Sequence, residues 1–110
     1  MVAPTTIPLT VDPEAAELVA ELGMQAELEC MLDQARQMIP GLRRIHVEFA
    51  PPYDTGPDPS VLIMAYRDPS LHRPDDQTWN QYSRWKTTTF SPDVFRHFTL
   101  LIRDDPNHAG

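Results

Sequence analysis

The chain is poor in three residue types that carry common chemistries. One cysteine, Cys30, among 110 residues excludes an internal disulfide and a cysteine-built zinc site. Four glycines, at positions 23, 41, 56 and 110, are too few and too scattered for a loop that cradles phosphate. A single lysine, Lys86, joins eight arginines against sixteen acidic residues, leaving a formal charge of −7. A chain this acidic lacks the basic groove that draws in a phosphate backbone, so direct nucleic-acid binding is not favoured. No run approaches the roughly 20 apolar residues of a membrane span. Met1 to Val11 has neither the basic start nor the apolar stretch of a secretory signal. No G-x-S-x-G elbow and no H-E-x-x-H pair occurs. These absences point to an acidic, cytoplasmic, bacterial-type domain with no cofactor and no metal.

Proline, by contrast, is abundant: twelve residues, about twice the usual frequency. Their positions speak for order. None interrupts residues 14–39, 43–50, 61–68, 75–91 or 93–105. Proline lacks a backbone donor and restricts its predecessor, so prolines placed this way mark the ends of elements. With 41% apolar residues the chain can build a core, and its length suits one domain, 1–110, with loose ends at about 1–5 and 106–110.

Ile7, Leu9 and Val11 alternate with polar or proline positions, and Pro8 limits that stretch to an edge strand or arm. Asp12-Pro13-Glu14 is a helix start, with aspartate placed to cap free amides. Two apolar stripes follow. Ala15, Leu18, Val19, Leu22 and Ala26 share one, while Met24, Leu28, Met31, Leu32, Ala35, Met38 and Ile39 share the other. At about 100° per residue their centres differ by roughly 150°. Gly23 sits at the phase change, so the spacing predicts helices over 13–22 and 24–39, with one long two-faced helix as the alternative.

Residues 43–50 alternate as a half-buried strand, with Ile45, Val47 and Phe49 on one face and Arg44, His46 and Glu48 on the other. Val61 to Tyr66 is apolar on both faces and reads as a central strand. Residues 75–90 form a helix carrying Trp79, Tyr82 and Trp85, and Ser91-Pro92-Asp93 starts a single turn. The last strand, 97–103, points Phe98, Leu100 and Ile102 inward, and Asp104 and Asp105 solvate its end. The fold class is α+β: one layer of helices on a three- to four-stranded mixed or antiparallel sheet, in the order arm-α-α-β-β-α-turn-β.

Two opposed stripes on a chain this small call for a second surface. Leu18, Leu22, Met24, Leu28, Met31, Leu32 and Met38 are therefore the expected interface. The expected function is a non-enzymatic protein–protein interaction module: an adaptor, an inhibitor or an antitoxin-like neutralising partner. It is homodimeric in this reading, and its acidity suits a basic protein partner. The alternative is a small enzyme or a ligand- or metal-binding protein. Its cleft would join His46, Glu48 and His97, with His46 as the acid–base group, to an aromatic wall of Trp79, Tyr82 and Trp85.

Overall fold

The computed structural model describes residues 7–51, 58–71 and 77–105. Along them run β1 (Leu9–Val11), α1 (Pro13–Leu22), α2 (Gln25–Met38), β2 (Leu42–Ala50) and β3 (Ser60–Arg67). A 3₁₀ turn (Pro69–Leu71), α3 (Thr78–Thr89), α4 (Pro92–Phe95) and β4 (Phe98–Asp104) complete the order. The expected loose ends lie outside the described residues, as do residues 52–57 and 72–76.

The strands form one mixed sheet in the order β1-β2-β3-β4. β1 is parallel to β2, β2 antiparallel to β3, and β3 parallel to β4. Parallel neighbours need a long crossover. Each parallel pair here is joined by two helices: α1 and α2 for β1–β2, α3 and α4 for β3–β4. The architecture is the expected α+β fold.

Pairing sets the faces. Ile45 and Val47 of β2 lie opposite Ala65 and Ile63 of β3, which in turn lie beside Ile102 and Leu100 of β4. This face meets the helices. Its core joins Ile45, Val47, Val61, Ile63, Ala65, Phe98 and Leu100 to Ala15, Val19, Met31, Leu32 and Tyr82.

Gly23 decides how the amino-terminal third packs. It ends α1 with φ 66° and ψ 33°; its amide donates to Ala20 and the Met24 amide donates to Val19. Only glycine adopts this left-handed conformation without strain. The reversal brings both stripes onto the same side of the sheet. The expected interface is corrected accordingly. Leu18, Leu28, Met31 and Leu32 are buried in the core, and Leu22, Met24 and Met38 are half-buried against it. Each such side chain contributes about 1.5–3 kcal/mol when fully buried, so folding consumes the surface that a helical dimer would use. A Cβ added at Gly23 would meet nothing within 4 Å, so substitution there strains only the backbone. Gly23→Ala is expected to cost about 1–2 kcal/mol, and Gly23→Asn clearly less, because asparagine tolerates the left-handed region. Thermal midpoints of the two variants check this.

Two other expectations change. Asp12 occupies the N-cap of α1, yet its carboxylate makes no capping bond; its backbone carbonyl accepts from Ala16, and its side chain turns to His46. Asp105 does not solvate the end of β4. It is buried, its amide donates to Arg67 O at 2.8 Å, and its carboxylate lies 3.5 Å from Arg44 and 3.9 Å from Arg43.

Candidate functional site: two unlike sheet edges

Hydrogen-bond parity separates the two edges of the sheet. Val61 N donates to His97 O, and Asp105 N donates to Arg67 O. Odd-numbered residues of β4 therefore bond to β3, and Phe98, Leu100 and Ile102 turn their backbone groups outward. Two of those carbonyls are taken. Lys86 Nζ donates to Phe98 O at 2.9 Å, and Trp79 Nε1 donates to Leu100 O at 2.9 Å. Both donors come from α3, seven residues or about two turns apart, which puts them on one side of the helix. Burial pulls the Lys86 pKa below the ordinary lysine value. A lysine head and an indole thus occupy the positions that an added strand would need.

The β1 edge is different. Ile45 N donates to Pro8 O and Asp12 N donates to Val47 O, so the even-numbered residues face β2. Leu9 and Val11 turn their N–H and C=O outward, and these groups have no partner among the described residues. Their side chains lie on the helical side and are each 39% exposed. Beside them is a depression of about 240 Å³, lined by Leu9, Glu29, Leu32, Asp33 and Arg36. Arg36 is committed to Asp33 at 2.7 Å. A second depression, of about 310 Å³, lies between α1 and the sheet, lined by Glu14, Glu17, Leu18, Glu21, Phe49 and Pro59.

The sheet's other face carries His46 with Arg44, Glu48, Leu62, Met64, Tyr66 and Leu101. His46 Nδ1 meets the Thr10 hydroxyl, while Nε2 lies 3.4 Å from Asp12 Oδ1 and 3.6 Å from Glu48 Oε1. Thr10 and His46 are register partners, so the imidazole ties β1 to β2. The expected closeness of His46 and Glu48 is present, but His97 is elsewhere. It precedes β4, two strands away, with Nδ1 3.4 Å from Pro59 O. Neither depression is lined by any of the three. Among the described residues no group of three or more His, Cys, Asp or Glu is arranged to hold a metal.

The aromatic stripe divides in the same way. Tyr82 is in the core and donates to Met31 O at 2.8 Å; burial pushes its phenol well above the ordinary range. Trp85 packs on Tyr82 and Phe90 with ring centroids 5.3 and 5.6 Å apart, and Trp79 stands half exposed on the β4 edge. Neither of the two depressions is lined by these rings. The arginines at the start of β2 are held by acidic side chains and an aromatic ring. Arg44 stacks on Tyr66 at 3.7 Å and pairs with Asp105, and Arg43 lies 3.4 Å from Asp68, whose carboxyl is held below its usual range chiefly by Ser70 hydrogen bonds. Arg84 lies on α3 and Arg96 just before β4, at the end of the sheet away from Arg44.

Sequence reasoning gave Lys86 no role and placed Trp79 in a cleft. The usable signal was their spacing of seven on a helix that precedes an edge strand. Among the described residues no helix is long and apolar enough to cross a membrane. Comparison with protein-family models, curated proteins and solved structures returns no match.

Proposed function

We propose that this chain is a non-enzymatic protein–protein interaction module that captures an extended segment of another protein on the free edge of β1. The observation that carries the reading is the contrast between the edges: β4 has two of its outward carbonyls occupied by side chains, while β1 leaves outward groups and two apolar side chains open. Strand addition uses such an edge, with main-chain bonds for affinity and alternate side chains for choice. The exposed free Cys30 suits a reducing, cytosolic setting and an adaptor, inhibitor or neutralising role there. A second copy is a poorer occupant. It would bring a formal charge of −7 against a surface of the same sign.

An acid–base reading centred on His46 has one observation in its favour, the contact chain from Thr10 through His46 to Asp12 and Glu48. Neither of the two depressions formed by the described residues is lined by that chain of contacts.

Val11→Pro separates the readings. It removes an outward N–H without breaking a bond to β2, because proline is tolerated on an edge whose donor faces solvent. Crosslinking of the full chain in its source cell is expected to join a partner at β1 in wild type and in His46→Ala. The same adduct is expected to vanish in Val11→Pro. An adduct that survives Val11→Pro, or a turnover reaction that disappears with His46→Ala, overturns the proposal.

A further inference from the structure

The chemistry around β1 goes beyond an open edge. Leu9 and the buried Leu32 form an apolar floor in the adjoining depression, and α2 supplies Glu29, Asp33 and Arg36 along its wall. The Arg36–Asp33 pair neutralises one carboxylate, whereas Glu29 has no ion pair among the described residues. The floor asks for an aliphatic side chain and the wall for one cation.

We infer, resting on the strand-addition reading, that the segment captured by β1 is extended and basic: aliphatic side chains over Leu9 and Val11, and a lysine or arginine reaching Glu29. Charge complementarity supports a foreign segment over a second copy. The chain's own edge strand reads Ile7-Pro8-Leu9-Thr10-Val11-Asp12, and the first cation along the chain is Arg36. A copy would bring Asp12 and Glu14, and a formal charge of −7, against a surface of the same sign. Opposite charge on the partner raises encounter rates and rejects acidic competitors.

Capped six-residue peptides of alternating valine and threonine test this, one with lysine and one with glutamate at the position over the depression. Binding is read from the Leu9 and Val11 amide resonances of the full chain. The lysine peptide is expected to bind about five- to ten-fold more tightly than the glutamate peptide, as a semi-exposed charge pair allows. That preference falls to within about two-fold in Glu29→Gln or at high salt, and is unchanged in Glu17→Gln of the other depression. N-methylation of one set of alternate peptide amides abolishes binding; methylation of the other set is tolerated. Equal binding of both peptides that still depends on the methylated set overturns the basic-segment inference and leaves strand addition standing. Binding indifferent to methylation in either set, or no shift at Leu9 and Val11 with any peptide, overturns strand addition and this inference with it. A reversible dimer that is lost in Val11→Pro identifies a second copy as the occupant and overturns the inference as well.

Discussion

Replacing both Trp79 and Lys86 by alanine is expected to make the chain self-associate through β4. The folded domain itself survives: each lost hydrogen bond costs about 0.5–1.5 kcal/mol, and the freed carbonyls meet water. The larger consequence is at the edge. β4 is seven residues long, more than twice the length of β1, and its middle becomes an open template once the Phe98 and Leu100 carbonyls are released. Sedimentation velocity from micromolar to several hundred micromolar is expected to show species growing with concentration in the double variant, above any association of wild type. Lys86→Gln separates two contributions. Glutamine keeps a donor but loses the charge, so an effect as large as that of Lys86→Ala identifies charge repulsion as the main guard. A double variant that sediments like wild type at every concentration means that neither side chain protects the edge.

The order of elements was legible because proline and glycine punctuate it. Asp12-Pro13 and Ser91-Pro92 open helices at residues 13 and 92, and Gly23 closes α1. Strict alternation in 43–50 fixed which side of β2 is buried, and the apolar character of both faces of Val61–Tyr66 agrees with an interior strand. The destination of the two helical stripes was not legible. A 150° offset between stripes says that two surfaces are needed on a straight rod; it says nothing once the rod is broken, because a left-handed residue redirects the second half by an angle that periodicity does not encode.

The site was read less well, for a related reason. His46 and Glu48 share a face through the two-residue period of a strand, which is local information. Whether His97 joins them depends on strand order, and β3 stands between β2 and β4. The unlike edges are non-local too. Which residues of β4 face outward follows from its pairing with β3, and the partners of those carbonyls lie 12 and 21 residues away in α3. Trp79 attracted a cleft reading because an indole on a helix is usually judged by its ring; here its N–H carries the role, aimed at a backbone carbonyl.

Tyr82→Ala is expected to be the most destabilising single change proposed here. The side chain is 1% exposed and links α3 to α2 through its bond to Met31 O, and Met31 is itself fully buried. Truncating a buried aromatic costs about 3–5 kcal/mol, a large share of the 5–15 kcal/mol that holds a domain of this kind. At about 4–8 °C per kcal/mol the thermal midpoint falls by more than about 10 °C. Tyr82→Phe keeps the ring and removes only the hydroxyl, for about 0.5–1.5 kcal/mol near neutral pH. Its informative readout is alkaline. Burial raises the folded phenol above its ordinary 10.0, so the neutral group's contribution is complete below pH 10 and is lost as pH rises beyond it, when the unfolded chain gains by ionising. Lys86 acts in the opposite sense: its folded pKa is lowered, so stability rises with pH between that value and the ordinary 10.5. Wild type and Tyr82→Phe both carry Lys86, which cancels in their difference. Urea unfolding at pH 7 and pH 11 is therefore expected to show a smaller alkaline loss in Tyr82→Phe than in wild type. Parallel losses in the two proteins mean that Tyr82 ionises as readily in the folded chain as in the unfolded one, and the buried bond to Met31 then cannot be what joins α2 to α3.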